Sequence, residues 1–262
     1  VRSRRAVRSA GALGLLALTA TACSGEASRL GMPEPISDQA ERMLTLWQGS
    51  WIAAFAVGVL VWGLIIWAVL FHRKRTEDLP PQVRYNLPIE ILYTAVPFVI
   101  IGVLFFFTAR DQDYVETLSD DPAVTVEVTG YQWSWQFDYK DSPAKNARTI
   151  ATVTGIPVDP NHPVPGGKPV LTVPAGEKVR IKLVANDVIH SFWVPALLYK
   201  KDLMPGLDNE FEFTANKTGT YEGRCAELCG VDHSRMLFQL RVVTPEQYRT
   251  YITNAQNAGG AQ

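Results

Sequence analysis

Two long uncharged stretches, followed by short alternating segments, predict a two-helix transmembrane hairpin joined to an all-β sandwich or barrel. From Trp51 to Phe71, and again from Ile91 to Ala109, no residue is charged. Each run is close to the roughly 20 residues that cross a bilayer as a helix. A soluble core helix rarely stays apolar on every side for that length. Beyond them, Val124, Val126 and Val128 alternate with polar neighbours, as do Val179, Ile181 and Leu183, and then Phe211 and Phe213. That period of two is the signature of half-buried strands, and turns such as Pro165-Gly-Gly167 and Pro174-Ala-Gly176 separate the runs.

The elements follow in order. Arg2, Arg4, Arg5 and Arg8 precede an apolar stretch from Ala10 to Ala22, the layout of an export signal over residues 1–22. Ala20-Thr-Ala22 fits a small-residue cleavage site, and Cys23 just after it suggests a lipoprotein signal with Cys23 as the lipidated mature N-terminus. Residues 23–46 then form an external segment and 47–110 the hairpin. Its connecting loop carries Arg73, Lys74, Arg75 and Arg84. Basic loops stay on the cytoplasmic side, which puts the N-terminal segment and everything after Arg110 outside. Residues 111–245 form the β domain, interrupted by a Pro/Gly-rich insertion, 140–168, whose role the sequence does not disclose. Thr244-Pro-Glu-Gln247 reads as the capped start of a short C-terminal helix within 246–262, ending in a frayed tail from Ala255. With 262 residues, 47% hydrophobic, and a net charge of -1, the chain is no nucleic-acid binder by bulk charge.

The chemistry concentrates in Cys225-Ala-Glu-Leu-Cys-Gly-Val-Asp-His-Ser-Arg-Met236. Thiolate and thioether are soft ligands that select copper, iron–sulfur or zinc, and imidazole suits copper and zinc. A methionine in the set argues against zinc. A one-copper electron-transfer site uses a single Cys, two His and an axial Met. Cys225 and Cys229 together exceed that count, and two thiolates on one loop can bridge two copper ions, each capped by one His. His233 is one cap; His162 and His190 are the candidates for the other. His162 stands in a turn-rich loop, whereas His190 follows the strand-like run from Lys178 to Ala185 and is held better there. Two cysteines in an exported domain would ordinarily be read as a disulfide. A disulfide needs neither His233, Met236 nor the His190 segment.

These residues resemble subunit II of the haem–copper cytochrome c oxidases, whose dinuclear CuA centre has the spacing C-x-x-x-C-x-x-x-H-x-x-M. The resemblance runs from about Trp47 to Val243 and includes Gly130-Tyr-Gln-Trp-Ser-Trp135 and Lys201-Asp-Leu-Met-Pro-Gly206. It implies a cupredoxin-like Greek-key sandwich with the metal loop joining two late strands. By family match Cys225 and Cys229 bridge the coppers, His190 and His233 bind one each, Met236 adds a weak thioether and Glu227 its backbone carbonyl. The Glu227 side chain is implied to reach a magnesium ion shared with subunit I.

Further roles are implied in the same way. Trp133 is the surface residue that takes up the electron, with Trp135 expected to face the other way along an aromatic strand from Tyr131 to Tyr139. Glu90, seven positions before Pro97, marks the mouth of a proton channel into subunit I. Asp138 and Asp187 match acidic positions around the donor's docking patch. The implied function is to accept electrons from cytochrome c, or from a c-type cytochrome domain. They would pass at CuA to the haem–copper subunit I for oxygen reduction coupled to proton pumping, in a bacterial plasma membrane. Partners would be membrane lipid, subunit I and other oxidase subunits. The sequence holds no C-x-x-C-H haem-attachment motif. A quinol oxidase subunit would lack the copper ligands, a nitrous oxide reductase would add a His-rich domain, and a copper chaperone would need neither Glu90 nor the aromatic segment.

Overall fold

A computed structural model describes residues 25–75, 77, 79, 81–156 and 168–259. The expected export signal, Cys23 and His162 lie outside the described residues. Two compact units result: one spans Thr45–Tyr114, and the other combines the chain up to Leu44 with the chain from Val115 onward.

The first unit holds most of helices α1 (Asp38–Phe71) and α2 (Leu87–Glu116). Each is longer than its apolar run, because polar turns extend α1 before Trp51 and α2 after Ala109. At 34 residues α1 rises about 51 Å, well beyond the roughly 30 Å of a hydrocarbon core. Both helices are long and apolar enough to cross a membrane. Asn86 begins α2: its amide donates to Glu90 Oε1 at 3.0 Å, so the Glu90 carboxylate closes the first turn.

The second unit is a cupredoxin-like sandwich of two five-stranded sheets. Its strands are β1 (Val124–Tyr131), β2 (Ser134–Lys140), β3 (Thr149–Thr154), β4 (Val170–Pro174), β5 (Lys178–Ala185), β6 (His190–Val194), β7 (Tyr199–Leu203), β8 (Asn209–Thr214), β9 (Gly219–Cys225) and β10 (Leu237–Val243). One sheet has the order β3-β2-β1-β5-β8, the other β4-β10-β9-β6-β7. Pairs β1/β5 and β4/β10 are parallel and the remaining pairs antiparallel. The alternating residues face the space between the sheets: Val126, Val128, Val179, Ile181, Leu183, Phe211 and Phe213 are all buried. Aromatic rings fill the middle, with Phe192 stacked on Phe238 at 4.8 Å and Trp135 edge-on to Phe238 at 5.2 Å. Gly223 is required opposite that ring, since a Cβ there would come within 2.3 Å of Phe238.

Three details depart from or extend the sequence reading. The aromatic segment is not one strand: Gln132 and Trp133 form a turn between β1 and β2. Part of the 140–168 insertion has a structural role after all, for it supplies β3 at the sheet edge. The C-terminal helix, α3 (Pro245–Gly259), runs past the expected fraying point at Ala255. Thr244 and Gln247 exchange the reciprocal bonds of a capping box, at 3.1 and 3.3 Å, and Tyr248, Tyr251, Ile252 and Ala255 pack on the core.

The segment before α1 also belongs to the sandwich. Ile36 is buried in the core, Ser37 bridges Ala215, and the Asn216 amide donates to the Ile36 carbonyl at 2.7 Å. Ser37 Oγ accepts the Ala40 amide at 3.1 Å and caps α1. The chain therefore leaves the sandwich through α1 and returns to it after α2.

Candidate metal centre

Strand ends and one loop assemble the candidate ligands. Cys225 is the last residue of β9 and Met236 directly precedes β10, so adjacent antiparallel strands hold both ends of the loop. The Cys225 amide also donates to the Met236 carbonyl at 3.0 Å. His190 opens β6, which pairs with β9 through Phe192 opposite Cys225. His233 stands in a single 3-10 turn inside the loop. Three strands and one turn thus converge on one point.

The geometry there suits soft metal ligation. Cys225 and Cys229 are free thiols with Sγ atoms 3.8 Å apart. His190 Nδ1 lies 3.9 Å from Cys225 Sγ and His233 Nδ1 lies 3.6 Å from Cys229 Sγ. Met236 Sδ is 3.8 Å from Cys229 Sγ, and the Glu227 carbonyl oxygen is 3.2 Å from Cys225 Sγ. Donors bound to one ion at about 2.3 Å for sulfur and 2.0 Å for nitrogen stand roughly 3.5–4.0 Å apart at tetrahedral to trigonal angles. The sulfur–sulfur and sulfur–nitrogen separations match that span. His190, Cys225, Cys229 and Met236 are buried, so a bound ion would be shielded from water.

Electrostatics differ between the two sulfurs. Burial works against the Cys225 thiolate, but the His190 imidazole beside it wins and lowers its pKa to about 7. Burial, together with the charge on Cys225, pushes Cys229 up to about 12. Burial also opposes a charged His190, yet its bonds to Cys225 and Asp187 hold its pKa above the ordinary value. Asp187 Oδ1 lies 2.8 Å from His190 Nε2. A carboxylate can only accept there, so Nε2 carries the proton and Nδ1 is turned toward the sulfurs.

A turn of the other sheet roofs the loop. Gln132 Nε2 and Trp133 Nε1 both donate to the Cys229 carbonyl, at 2.8 and 3.1 Å. Trp135 Nε1 donates to the Met236 carbonyl at 3.3 Å. Gly230, at φ +126°, lies under the Trp133 ring, where a Cβ would sit 3.0 Å from the indole. Trp133 is partly exposed whereas Trp135 is fully buried. The two do part, but the turn separates them rather than strand alternation, since residues two apart on a strand share a face. The sequence reading missed Gln132 entirely; its position beside Trp133 in the aromatic segment was the available signal.

The remaining expected residues fall elsewhere. Asp138 is only 8% exposed and accepts from Thr152 Oγ1 and Gln136 Nε2 on the outer face of its sheet. Burial of this kind does not suit a docking charge. The Asp187 side chain, 31% exposed, accepts from the Gln132 and Val188 amides as well as facing His190. Glu90 stands at the start of α2, away in sequence and in compact unit from the ligands. Among the described residues the cluster able to hold a metal ion is His190, Cys225 and Cys229. Among the described residues the exposed Glu227 carboxylate joins no group of metal-ligating side chains, so the magnesium expectation gains no support.

Comparison with known proteins converges on one family. A sequence model of the cytochrome c oxidase subunit II periplasmic domain matches residues 124–243. The probable cytochrome c oxidase subunit 2 of Streptomyces avermitilis is 48% identical, over 98% of this chain and 88% of that protein. The cytochrome c oxidase subunit 2 of Mycobacterium tuberculosis is 37% identical, over 96% of this chain and 82% of its own length. Among solved structures, the periplasmic domain of subunit II (CoxB) of Bradyrhizobium japonicum is 29% identical, covering 54% of this chain and 99% of that one at a TM-score of 0.44. The chain belongs to the cytochrome c oxidase subunit II family.

Proposed function

We propose that this subunit takes up electrons from a reduced c-type cytochrome outside a bacterial plasma membrane and delivers them to the haem–copper subunit I. There they would serve oxygen reduction coupled to proton pumping. The observation that carries the reading is the four-sided donor set: two thiols 3.8 Å apart, with an imidazole Nδ1 beside each. A single structural disulfide would need no such flanking imidazoles, and a one-copper site would leave one sulfur over.

Cys225, Cys229, His190, His233, Met236 and the Glu227 carbonyl would hold a pair of copper ions. Bound there, the pair supplies a one-electron acceptor that shares its charge over two metals. The chain's own residues do the rest. Asp187 fixes the tautomer of His190, and the Gln132–Trp133 turn holds the Cys229 carbonyl. The aromatic core behind Trp135 excludes water. Trp133 would take up the electron, a role supported by its contact with the Cys229 carbonyl and its partial exposure.

The topology supports an external sandwich. The segment ending at Leu44 and the chain from Val115 share one compact unit, so both ends of the helical hairpin lie on one side of any membrane it crosses. The loop with Arg73, Lys74, Arg75 and Arg84 then takes the other, cytoplasmic, side. Glu90 begins α2 on that side, where a titratable group at the membrane edge suits proton uptake.

Metal analysis and an EPR spectrum of the purified complex test the copper reading. The expected result is a dinuclear, mixed-valence copper signal that disappears in Cys225→Ser and Cys229→Ser while Met236→Leu keeps copper at a shifted potential. An ordinary one-copper signal that survives Cys229→Ser would sink it.

A further inference from the structure

The inward stripe of β1 breaks where it meets the metal centre. Val126 and Val128 fill the core, and the next position on the stripe is Gly130. Its neighbours in the cross-strand row are Trp135 on β2 and Ala185 on β5. Glycine inside a strand weakens it, and often marks a close approach from elsewhere. Here the approaching group is a candidate ligand from the opposite sheet. A Cβ built on Gly130 would lie 3.1 Å from Cδ2 and 3.2 Å from Cγ of the His190 ring, and 3.1 Å from Leu203 Cδ2. Carbon atoms in contact ordinarily stand about 3.5–4.0 Å apart. The imidazole therefore takes the space that a side chain at position 130 would need.

The end of β1 holds the same ligand in two further ways. The Gly130 carbonyl accepts the Asn186 amide at 3.1 Å, and the Gln132 amide donates to Asp187 Oδ2 at 2.7 Å. Both bonds fix the short link from β5 to β6 that precedes His190. Asp187 Oδ1 in turn faces His190 Nε2 at 2.8 Å. The ring is fully buried, with Leu203 opposite His190 on β7 and the Trp135 ring centroid 6.4 Å away. A displacement of the ring cannot be taken up in solvent.

We propose that Gly130 is a positioning residue of the metal centre: its missing side chain sets how close the His190 imidazole comes to the sulfurs. The inference rests on the copper reading given above. His190 Nδ1 stands 3.9 Å from Cys225 Sγ. A methyl group at 130 would shift the ring by a few tenths of an ångström, whereas metal–ligand distances hold to within about 0.2 Å. The backbone itself accepts alanine, because Gly130 does not have a positive φ. The effect of Gly130→Ala therefore runs through the ring and not through the chain.

The test uses the intact, purified oxidase complex. Gly130→Ala should still bind two coppers per chain, but with an altered nitrogen coupling for one of the two imidazoles in electron–nuclear double resonance. Its copper retention against a competing chelator should weaken about tenfold, the lower end of what disturbing a ligand's support costs. Leu203→Val on that background removes the other contact, since valine carries no δ carbon. Thermal stability should then recover while the altered copper signature stays; if Gly130→Ala fails to assemble, this double variant decides alone. Unchanged nitrogen coupling and copper retention in Gly130→Ala, beside a wild type with both coppers, overturn the role of Gly130 and leave the copper reading intact. So does a signature restored by Leu203→Val, which would place the overlap on Leu203 instead of the ring. A wild-type complex without paired copper overturns the copper reading, and this inference with it.

Discussion

Replacing Trp133 by Phe separates electron uptake from metal binding, because the structure duplicates the bond that would be lost. The indole Nε1 donates to the Cys229 carbonyl at 3.1 Å, but Gln132 Nε2 donates to the same oxygen at 2.8 Å. Removing one donor therefore forfeits a hydrogen bond worth about 0.5–1.5 kcal/mol without leaving a buried acceptor unpaired. The smaller ring also loosens contact with Gly230, and the total should stay near 1–2 kcal/mol. Against a typical 5–15 kcal/mol of domain stability the fold survives. The melting point should fall by only a few degrees, at roughly 2–4 °C per kcal/mol for a domain of this size. Copper content should be unchanged, while reduction of the copper centre by the donor slows by at least about tenfold, or about 1.4 kcal/mol on the barrier.

Stopped-flow reduction by cytochrome c, beside metal analysis and thermal unfolding, reads all three quantities on one preparation. Gln132→Ala is the control, and the double variant is the informative case. With both donors gone, the Cys229 carbonyl loses its partners under the roof, an additional penalty of about 1–3 kcal/mol. Stability and copper retention should then fall by more than the two single effects combined. Trp133→Phe that sheds copper, or that accepts electrons at the wild-type rate, would refute the reasoning: the first makes the indole a structural prop, the second moves the uptake point elsewhere.

Other consequences can be checked in parallel. Glu90→Gln keeps an oxygen acceptor for the Asn86 amide, so α2 and the copper spectrum should be preserved while oxidase turnover falls; turnover at the wild-type rate across pH would leave Glu90 as a helix cap only. For topology, a cysteine at Lys145 should react with an impermeant reagent in intact cells and one at Arg75 should not; the reverse pattern inverts the orientation. Loading the metal-free protein with copper should release fewer protons as pH rises, because Cys225 is already ionised above about 7 whereas Cys229, at about 12, still carries its proton. Calorimetry in buffers of differing ionisation enthalpy should show release lower by at least about one proton at pH 8.5 than at pH 6, and an equal count at both would contradict the assigned asymmetry.

Much of this architecture is legible in the amino-acid sequence because its signals are local. Uncharged runs mark α1 and α2, and alternation at Val124–Val128 and Lys178–Ala185 marks strands that the structure buries on one face. The metal loop is legible because its ligands lie within twelve residues, Cys225 to Met236. What escaped depends on contacts between distant segments. Alternation continues without a visible break from Tyr131 to Tyr139, so nothing local announces the turn at Gln132–Trp133. Its reason is the carbonyl of Cys229, almost a hundred residues away. Asp138 and Asp187 look alike as isolated acids; only the sheet shows one tied to Thr152 and the other to His190. Ile36 belongs to the core for a comparable reason, since its partners are Ala196 and Asn216.

The same long-range contacts fix the candidate ligands relative to one another. Here β9 and β10 clamp the loop ends, and β6 delivers His190 from the adjoining strand. The β1–β2 turn pins the Cys229 carbonyl, and Asp187 ties that turn to the ligand by accepting from the Gln132 amide while facing His190. The two sulfurs and two imidazoles stand within 4 Å of their neighbours. A centre whose ligands are fixed by sheets need move little when its charge changes, and small rearrangement is what rapid electron exchange requires. Trp135, Phe192 and Phe238 fill the space behind the ligands, so neither water nor a shifted side chain can relax into it.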